Sequence, residues 1–446
     1  MTSLSISFCK YLQKQRFDFK TKFQIAWRLL KQLASILTKT HCRCGSPFLF
    51  SGHPSFQLKL RCDMEKVRFG IIGIGNIGTV HARYLLAGTV SDACLAAVSD
   101  NAPEKHPAIR QLVGSLPLFS DAQEMLQSGL IDAVIVATPH YEHPRLSMLA
   151  MRHGIHTLCE KPAGVYTAQV QEMNACARTC DVVFGIMYNQ RPNPLYQKVK
   201  DLIDSGELGE IRRSNWIITN WYRSQSYYNS GGWRATWKGE GGGVLLNQDP
   251  HQLDLWQWLV GMPIRLRAFC QFGKHRDIEV EDEVTAYAEY ANGATGVFIT
   301  TVAETPGTNR LEIVGDRGKV VVEEGKLRYW RLRESETAFN ARWQNGFGEP
   351  ECWEVTLPVG PECSEHHVIT ANFCGAILRG EPLIAPGLEG IHGLTLSNAM
   401  HLSTWTDDWV DLPLNEKQYL RLLQQRISTS VAKETASVTL DASGTW

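Results

Sequence analysis

The 446-residue sequence has no apolar run that approaches the roughly 20 residues needed by a membrane-spanning helix. It also has no excess of basic residues, because 45 Lys and Arg against 46 Asp and Glu leave a net charge of −1. These two absences argue against an integral membrane protein and against a basic surface that binds nucleic acid. A hydrophobic content of 43% instead predicts a globular chain that binds neither a membrane nor nucleic acid.

The 12 cysteines include no C-x-x-C pair, and no group of cysteines and histidines has the spacing of a zinc site. Cysteines scattered through a chain of this length favour free thiols in a reducing compartment over a disulfide framework or a metal site. We therefore predict a cytoplasmic protein that binds no metal.

Acidic residues are almost absent from the first 63 positions, which hold 11 Lys and Arg but only Asp18 and Asp63 as acids, a net charge of +9. The stretch at 23–40 has helical apolar periodicity with basic residues on its polar side. It could be a membrane-surface helix, a transit peptide, or translated sequence upstream of a true start at Met64. The third interpretation is favoured, so we predict that residues 1–63 lie outside the fold.

The remaining chain divides into two regions of different pattern, as its length suggests. Strands alternate with helices over residues 64–186, which predicts an α/β domain with a doubly wound parallel sheet. Over residues 187–425 strand-like segments follow one another, with tight turns at 292–293 and 316–318. This second pattern predicts an α+β domain with an open, mostly antiparallel sheet. Residues 426–446 read as a polar tail.

The sequence GIGNIG at 73–78 follows an apolar strand and opens a predicted helix, which is the context of a dinucleotide-binding loop. Glycines permit the tight turn and let the backbone approach a pyrophosphate, which the helix N-terminus binds through its N–H groups. The predicted cofactor contacts in this loop are Gly73, Gly75, Asn76, Ile77 and Gly78.

Asp100 ends the second predicted strand, 25 residues after Gly75. A carboxylate there accepts hydrogen bonds from both ribose hydroxyls of NAD and repels the 2′-phosphate of NADP. We therefore predict NAD as the cofactor, with NADP as the weaker candidate. The alternative is that Asp100 only caps a turn with Asn101.

Two further segments follow predicted strands at the carboxyl edge of the parallel sheet, where such folds bind ligands. In ATPHYEH (137–143), Thr138 and Pro139 are predicted to lie along the cofactor. His143 could contact the cofactor or be a surface residue at a helix start.

The segment CEKPAG (159–164) places Glu160 and Lys161 beside the predicted nicotinamide. A positively charged nicotinamide ring would lower the pKa of Lys161, so that its amine could help remove a proton from a substrate hydroxyl. Taken alone, a lysine of this kind could equally be a solvated surface residue.

Aromatic residues are dense between 216 and 237, in the company of Arg223 and Arg234. Aromatic faces suit the C–H faces of sugar rings, and arginines suit hydroxyls or a carboxylate, although aromatics also pack cores. This segment holds seven aromatic residues, and we expect two or three of them to line a pocket. The predicted substrate contacts are Tyr222, Arg223, Trp233 and Arg234, with Asn189 and Arg191 at the domain junction.

GIGNIG, ATPHYEH, the EKP tripeptide and a GGG…H-x-x-D segment (241–254) occur in this order, and together they resemble the Gfo/Idh/MocA family of nicotinamide-dependent oxidoreductases. The resemblance covers roughly residues 64–425. It implies a Rossmann domain followed by an open antiparallel sheet, and oxidation or reduction of a secondary alcohol on a sugar, inositol or related polyol.

The resemblance also implies roles for single residues. The lysine of EKP matches Lys161, and the histidine of the last segment matches His251, which the family uses as acid and base. Many members carry an aspartate four residues earlier, where this chain has Asn247. Because an amide cannot take a proton near neutral pH, Lys161 and His251 are left to carry it, and Asn247 is expected to position the substrate.

Local geometry around His251 allows two arrangements. On an unbroken helix Asn247 and His251 would share a face, but Asp249 and Pro250 also suit the N-cap and first position of a new helix. We favour the second arrangement, with Asp249 as a cap and His251 kept neutral in the first turn. The glycines at 241–243 are expected to let the backbone approach cofactor or substrate.

We therefore predict an NAD-dependent oxidoreductase that transfers hydride from a secondary ring hydroxyl of a sugar, glycoside or inositol. A redox-neutral enzyme that retains NAD and cleaves glycosides is one alternative, and a non-catalytic sensor of nucleotide or sugar is another. A homo-oligomer, dimer or tetramer, is expected through the exposed face of the antiparallel sheet.

Overall fold

A computed structural model describes residues 66–431. The predictions made for residues 1–63 lie outside the described residues, as do residues 432–446 of the predicted polar tail (426–446). None of the helices in the described chain is both long and apolar enough to cross a membrane. The eight cysteines in this part of the chain are free thiols.

A six-stranded parallel sheet forms the first part of the fold, and its central strand β1 (Val67–Ile72) is almost wholly buried. Strands covered by helices on both faces need continuous apolar runs, which VRFGII and AVIV supply. The strands are β1, β2 (Ala93–Ser99), β3 (Leu118–Phe119), β4 (Ala133–Val136), β5 (His156–Cys159) and β6 (Phe184–Ile186). Their order is β3-β2-β1-β4-β5-β6, which confirms the predicted doubly wound topology.

Helices connect these strands and bury one apolar face against the sheet. They are α1 (Asn76–Leu86), α2 (His106–Val113), α3 (Ala122–Gln127), α4 (Glu142–Arg152) and α5 (Thr167–Thr179), with a short 3₁₀ turn at Pro103–Lys105. The loops after β1, β4 and β5 therefore leave the same edge of the sheet, where the predicted site segments lie.

The second sheet has nine strands, and it is mostly antiparallel as predicted. They are β7 (Ile211–Ile218), β8 (Arg265–Phe272), β9 (Glu281–Glu289), β10 (Thr295–Thr301), β11 (Asn309–Gly315), β12 (Gly318–Glu323), β13 (Lys326–Leu332), β14 (Cys352–Val355) and β15 (Val410–Asp411). The order is β14-β13-β12-β11-β7-β10-β9-β8-β15. In the described part of this sheet only β7 and β10 pair in parallel, and the long segment between them supplies the crossover that a parallel pair needs.

The described part of this second region also contains eight helices. They are α6 (Pro194–Asp204), α7 (Gln225–Tyr228), α8 (Val244–Asn247), α9 (Pro250–Val260), α10 (Glu336–Arg342), α11 (His366–Arg379), α12 (Gly390–Thr406) and α13 (Glu416–Thr429), with a 3₁₀ turn at Gly387–Glu389. Helix α9 is buried nearly all round. Its Trp256 donates to Ser214 Oγ at 2.9 Å, and a side chain at Gly296 would collide with the indole.

Helix α11 returns to the first sheet, where it contacts β1, β5 and α1. The ring of Phe373 lies 6.2 Å from that of Phe69, and it fills the space over Gly185. A helix from late in the chain thus completes the packing of the N-terminal region, and the proposed domain boundary at residue 186 stays a prediction.

Arg191 forms a buried ion-pair network between distant segments. Its guanidinium donates to both oxygens of Asp254 on α9 at 2.7 Å, and to Glu389 Oε2 at 2.5 Å. Its side chain is 1% exposed. We predicted Arg191 as a substrate contact, but its donors are already occupied by these carboxylates, and it holds α9 in place.

Replacement of Arg191 by Met should destabilise the protein by about 3–5 kcal/mol, because it leaves the Asp254 carboxylate buried without its partner. The free energy of unfolding in urea measures this. The matched control is Lys198→Met, which breaks an exposed pair with Asp201 and should cost less than about 1 kcal/mol. Equal losses in the two variants would contradict a structural role for the network.

Candidate active site

A cavity of about 1800 Å³ lies where the carboxyl edge of the parallel sheet faces the second domain. On one side it is lined by the glycine loop and the segments after β4 and β5. On the other side it is lined by parts of the chain between 189 and 251. The predicted site segments are therefore brought together around one space, large enough for a dinucleotide and a second small molecule.

Each of the three glycines in the loop after β1 is required for a different physical reason. Gly73 has a φ of +91°, and a side chain at Gly78 would lie 2.0 Å from the carbonyl oxygen of Gly73. Gly75 meets no protein atom; it lines the cavity at the start of α1, and a Cβ there would fill ligand space. Gly73 and Gly78 build the turn, and Gly75, Asn76 and Ile77 present the helix N-terminus to an anion.

Asp100 is 5% exposed and lines the same cavity. Its Oδ2 accepts from the backbone N–H of Ile74 at 2.8 Å, and its Oδ1 accepts from that of Ala102 at 3.0 Å. The residue thus holds the glycine loop and caps the turn after β2. Each carboxylate oxygen keeps a second lone pair for a ribose hydroxyl.

Glu160 and His81 form a buried pair beneath the cavity. Glu160 Oε1 lies 2.6 Å from His81 Nε2, and Glu160 Oε2 accepts from the N–H of Lys161 at 3.1 Å. Burial alone would raise the pKa of Glu160, but the hydrogen bond and charge of His81 hold it at about 2. Glu160 was predicted to contact the cofactor; it lines the cavity, and both of its oxygens serve to orient the Lys161 loop.

Lys161 reaches across to the second domain. Its Nζ donates to the backbone carbonyl of Asn247 at 2.8 Å, so the lysine is not a solvated surface residue. Burial lowers the pKa of its ammonium, against the opposing charge of Glu160, and the nearby arginines lower it further. A neutral amine is therefore more accessible here than on an ordinary lysine.

His251 is the second residue of α9 and lines the cavity. It is 7% exposed, and its Nδ1 has no hydrogen-bond partner within residues 66–431. Burial and the charge of Lys161 lower its pKa well below that of free histidine. The imidazole is neutral at physiological pH and can accept a proton, as the helix-start arrangement predicted.

The stretch before His251 is two helices and not one, since α8 ends at Asn247 and α9 begins at Pro250. Asp249 occupies the N-cap position, but its side chain makes no capping hydrogen bond, so our prediction of a side-chain cap is wrong. The reason is its backbone, which at φ −95° and ψ 7° is not extended as an N-cap requires. The carboxyl is instead fully buried, which raises its pKa to about 8.

Sequence reasoning missed Glu240, which is 1% exposed. Its Oε1 accepts from the side-chain amide of Asn247, its Oε2 accepts from the N–H of Ala235 at 2.5 Å, and its backbone carbonyl lies 3.2 Å from His140 Nδ1. Burial raises its pKa. An acid set directly before three glycines was the available signal. Glu240 fixes the Asn247 amide with its oxygen turned toward the hydroxyl of Tyr227, at 3.5 Å.

The glycines at 241–243 have a different role from the one predicted. A side chain at Gly243 would lie 2.0 Å from the carbonyl oxygen of Glu281, and one at Gly241 would collide with Val165. Glu281 Oε1 also accepts from the N–H groups of Gly243 and Leu245 at 2.8 and 3.1 Å. Gly243 thus lets the segment pack against β9, Gly241 lets it pack against the loop after β5, and neither lines the cavity.

Four of the seven aromatics between 216 and 237 line the cavity, which is more than the two or three expected; they are Trp221, Tyr222, Tyr227 and Trp233. The other three are buried in the core, and they are Trp216, Tyr228 and Trp237. Arg223 and Arg234 line the cavity with them, and each guanidinium lies over the ring of Tyr227. The predicted substrate contacts in this segment therefore share one wall.

Four further residues were predicted to contact the cofactor or the substrate. Thr138, Pro139, His143 and Asn189 line the cavity. His143 is 1% exposed, so it is not a surface residue, and its two nitrogens lie 2.7 Å from the carbonyl oxygens of Pro162 and Thr138. It ties the loops after β4 and β5 together. Asn189 donates to the carbonyl of Ser364 at 2.7 Å.

A parallel sheet in this strand order, a glycine loop at a helix N-terminus and a carboxylate at the end of β2 define a dinucleotide-binding oxidoreductase. Two family models match this chain. The oxidoreductase family with an NAD-binding Rossmann fold, Gfo/Idh/MocA, matches residues 67–188, and the C-terminal domain of that family matches residues 196–321. The chain belongs to the Gfo/Idh/MocA family, and it is an NAD-dependent dehydrogenase acting on CH–OH groups.

Several relatives resemble this chain over most of their length. A myo-inositol 2-dehydrogenase from Thermotoga maritima is 24% identical over 58% of this chain and 75% of its own length. A D-glucoside 3-dehydrogenase from Escherichia coli is 29% identical over 53% and 70%. The WlbA dehydrogenase from Bordetella pertussis, solved in complex with NADH and UDP-GlcNAcA, is 27% identical with a TM-score of 0.66, covering 78% of this chain and 100% of that one.

Replacement of Gly75 by Ala should weaken NADH binding by about tenfold or more, because the added Cβ takes space at the pyrophosphate position. Its unfolding free energy should stay near that of the unchanged protein, since no protein atom is displaced. Fluorescence titration with NADH measures the Kd. Gly346→Ala, also without steric conflict but away from the cavity, is the control, and equal Kd values for both variants would refute the assignment.

Replacement of Glu240 by Gln should lower kcat by about tenfold, because both carboxylate oxygens accept hydrogen bonds and an amide can accept through only one of them. The Kd for NADH should stay unchanged. Glu172→Gln, at an exposed position of α5, is the matched control. A Glu240→Gln variant that loses stability but keeps kcat would show a role in folding alone.

Proposed function

We propose that the protein oxidises a secondary ring hydroxyl of a sugar, glycoside or inositol, with NAD as hydride acceptor. One observation carries this proposal: Lys161 and His251, from different domains, line the same cavity as the glycine loop. Burial lowers the pKa values of both, which makes the neutral amine of Lys161 more accessible and keeps the imidazole of His251 unprotonated.

The positions of these two residues in the cavity support a proton route. NAD supplies the acceptor for the hydride that leaves the carbinol carbon. His251 takes the hydroxyl proton on its imidazole, and Lys161 donates a hydrogen bond to the same oxygen or shares the proton. Asn247, held by Glu240, orients the ring through its amide oxygen.

The cavity walls support a ring-shaped polyol. Trp221, Tyr222, Tyr227 and Trp233 offer flat apolar faces that suit the C–H faces of a sugar ring. The relatives named myo-inositol 2-dehydrogenase and D-glucoside 3-dehydrogenase support the same substrate class.

Exposed apolar side chains on the outer face of the second sheet support a homo-oligomer, dimer or tetramer. Phe269 on β8 is 54% exposed and Tyr287 on β9 is 39% exposed, and Trp409 lies 5.9 Å from the Tyr287 ring. Light scattering coupled to size exclusion tests the assembly. A cytoplasmic location also remains a proposal.

A panel of sugars, glycosides and inositols with NAD, followed by NADH absorbance, tests the function. Lys161→Ala and His251→Ala should each lower kcat by about 10²-fold or more, with Lys198→Ala as control. In wild type, kcat/KM for oxidation should rise with pH through a pKa below 10.5, because Lys161 can share the hydroxyl proton only as a neutral amine and burial lowers its pKa.

Other outcomes separate the alternatives. Protein purified with NAD already bound, and active on glycosides without added cofactor, would identify the redox-neutral enzyme. Binding of NAD and sugar with no turnover of any member of the panel would identify a sensor. Full activity in both alanine variants would contradict the assigned proton route.

A further inference from the structure

Arg223 and Arg234 form a pair of cations on the second-domain wall of the cavity. Their guanidinium carbons lie 5.2 and 4.7 Å from the centre of the Tyr227 ring. The Arg234 guanidinium also lies 4.7 Å from Trp233. Stacking on aromatic rings holds both side chains in place while it leaves their in-plane N–H groups free to bind a ligand.

Most N–H groups of this pair have no protein acceptor. Arg223 Nη1 donates to the carbonyl of Tyr222 at 3.0 Å, and Arg234 Nη1 donates to the hydroxyl of Tyr227 at 2.9 Å. Arg223 Nε is buried and without a partner in the described chain. A buried N–H of a charged group costs free energy unless an acceptor pairs with it, so this wall favours a ligand that supplies a hydrogen-bond acceptor.

The charge balance of the cavity is uneven. Its acidic lining residues, Asp100, Glu104, Asp121, Glu142 and Glu160, all belong to the parallel-sheet domain. Among the cavity-lining residues between 189 and 251, all within the described part of the chain, are both arginines and no carboxylate. Glu240 lies behind this wall, and its oxygens accept from Asn247 and Ala235.

Both arginines act on Lys161, whose pKa their charges lower. The cationic wall therefore lies near the reacting groups and within the space that a sugar ring would occupy. A neutral polyol would give these two half-buried cations no anionic partner within the cavity, whereas a carboxylate or phosphate matches the guanidinium fork with charge-assisted hydrogen bonds.

We propose that the substrate is an anionic sugar, whose carboxylate or phosphate binds Arg223 and Arg234 while a ring hydroxyl faces Lys161 and His251. This inference rests on the proposed function and narrows its substrate class. It makes the two arginines specificity-determining residues.

Sugars that share one ring but carry a neutral, carboxylate or phosphate group test whether the enzyme prefers an anionic substrate. The methyl glycosides of a hexose, its hexuronate and its 6-phosphate share one ring, and each set is assayed in gluco, galacto and manno configurations with NAD. We expect kcat/KM to favour an anionic member over its neutral parent by about tenfold or more. The uronate and the phosphate arms identify which anion is preferred.

Arg223→Gln and Arg234→Gln should each reduce this anionic-to-neutral ratio by about tenfold. Arg212→Gln is the control, because Arg212 is exposed and paired with Asp316 and Glu336, and it should leave the ratio unchanged. If an arginine variant fails to fold, the wild-type ratio still decides.

Two failures are distinguishable. Reduction of NAD by neutral sugars with no preference for anionic ones, or equal losses on both in the arginine variants, would overturn the anionic substrate and leave the dehydrogenase proposal standing. No reduction of NAD by any sugar would overturn the proposed function, and this inference with it.

Discussion

The hydrogen bond from Lys161 Nζ to the carbonyl of Asn247 joins the two domains at the candidate site, and the geometry of that site depends on it. On one side, the Glu160–His81 pair fixes the loop that carries the lysine. On the other side, Glu281 accepts hydrogen bonds from backbone N–H groups at the start of α8. These bonds fix the position of Asn247, the last residue of that helix. Each half of the candidate site is thus held in place by hydrogen bonds to a buried carboxylate, Glu160 or Glu281.

Burial sets the protonation of the site in one consistent direction. It lowers the pKa of Lys161 and His251 and raises that of Glu240 and Asp249, so each group moves toward its neutral form. Glu160 is the exception, because His81 compensates its charge. The consequence is that the neutral forms of Lys161 and His251 are favoured beside one fixed anion, a direction that suits removal of a proton from an alcohol.

Local pattern was enough to predict the two sheets, the glycine loop and the strand-end segments, because periodicity and glycine spacing are properties of neighbouring residues. It was not enough for Arg191, whose carboxylate partners lie 63 and 198 residues away. Nor could it give the backbone angles that deny Asp249 a cap, or the pairing of β7 with β10 across a long insertion. Glu240 was missed for the same reason, since its importance comes from Asn247 across a turn.

The amide at Asn247 acquires a physical meaning beside the cationic wall. An aspartate at this position would place a carboxylate between Lys161 and the two arginines, where it would compensate their charge. With an amide there, the acid that the charge of Arg234 acts on is Glu240, which is buried behind the wall and whose pKa burial raises. Residue 247 itself then offers no carboxylate that competes with a ligand for Arg223 and Arg234, which agrees with the anionic substrate proposed above.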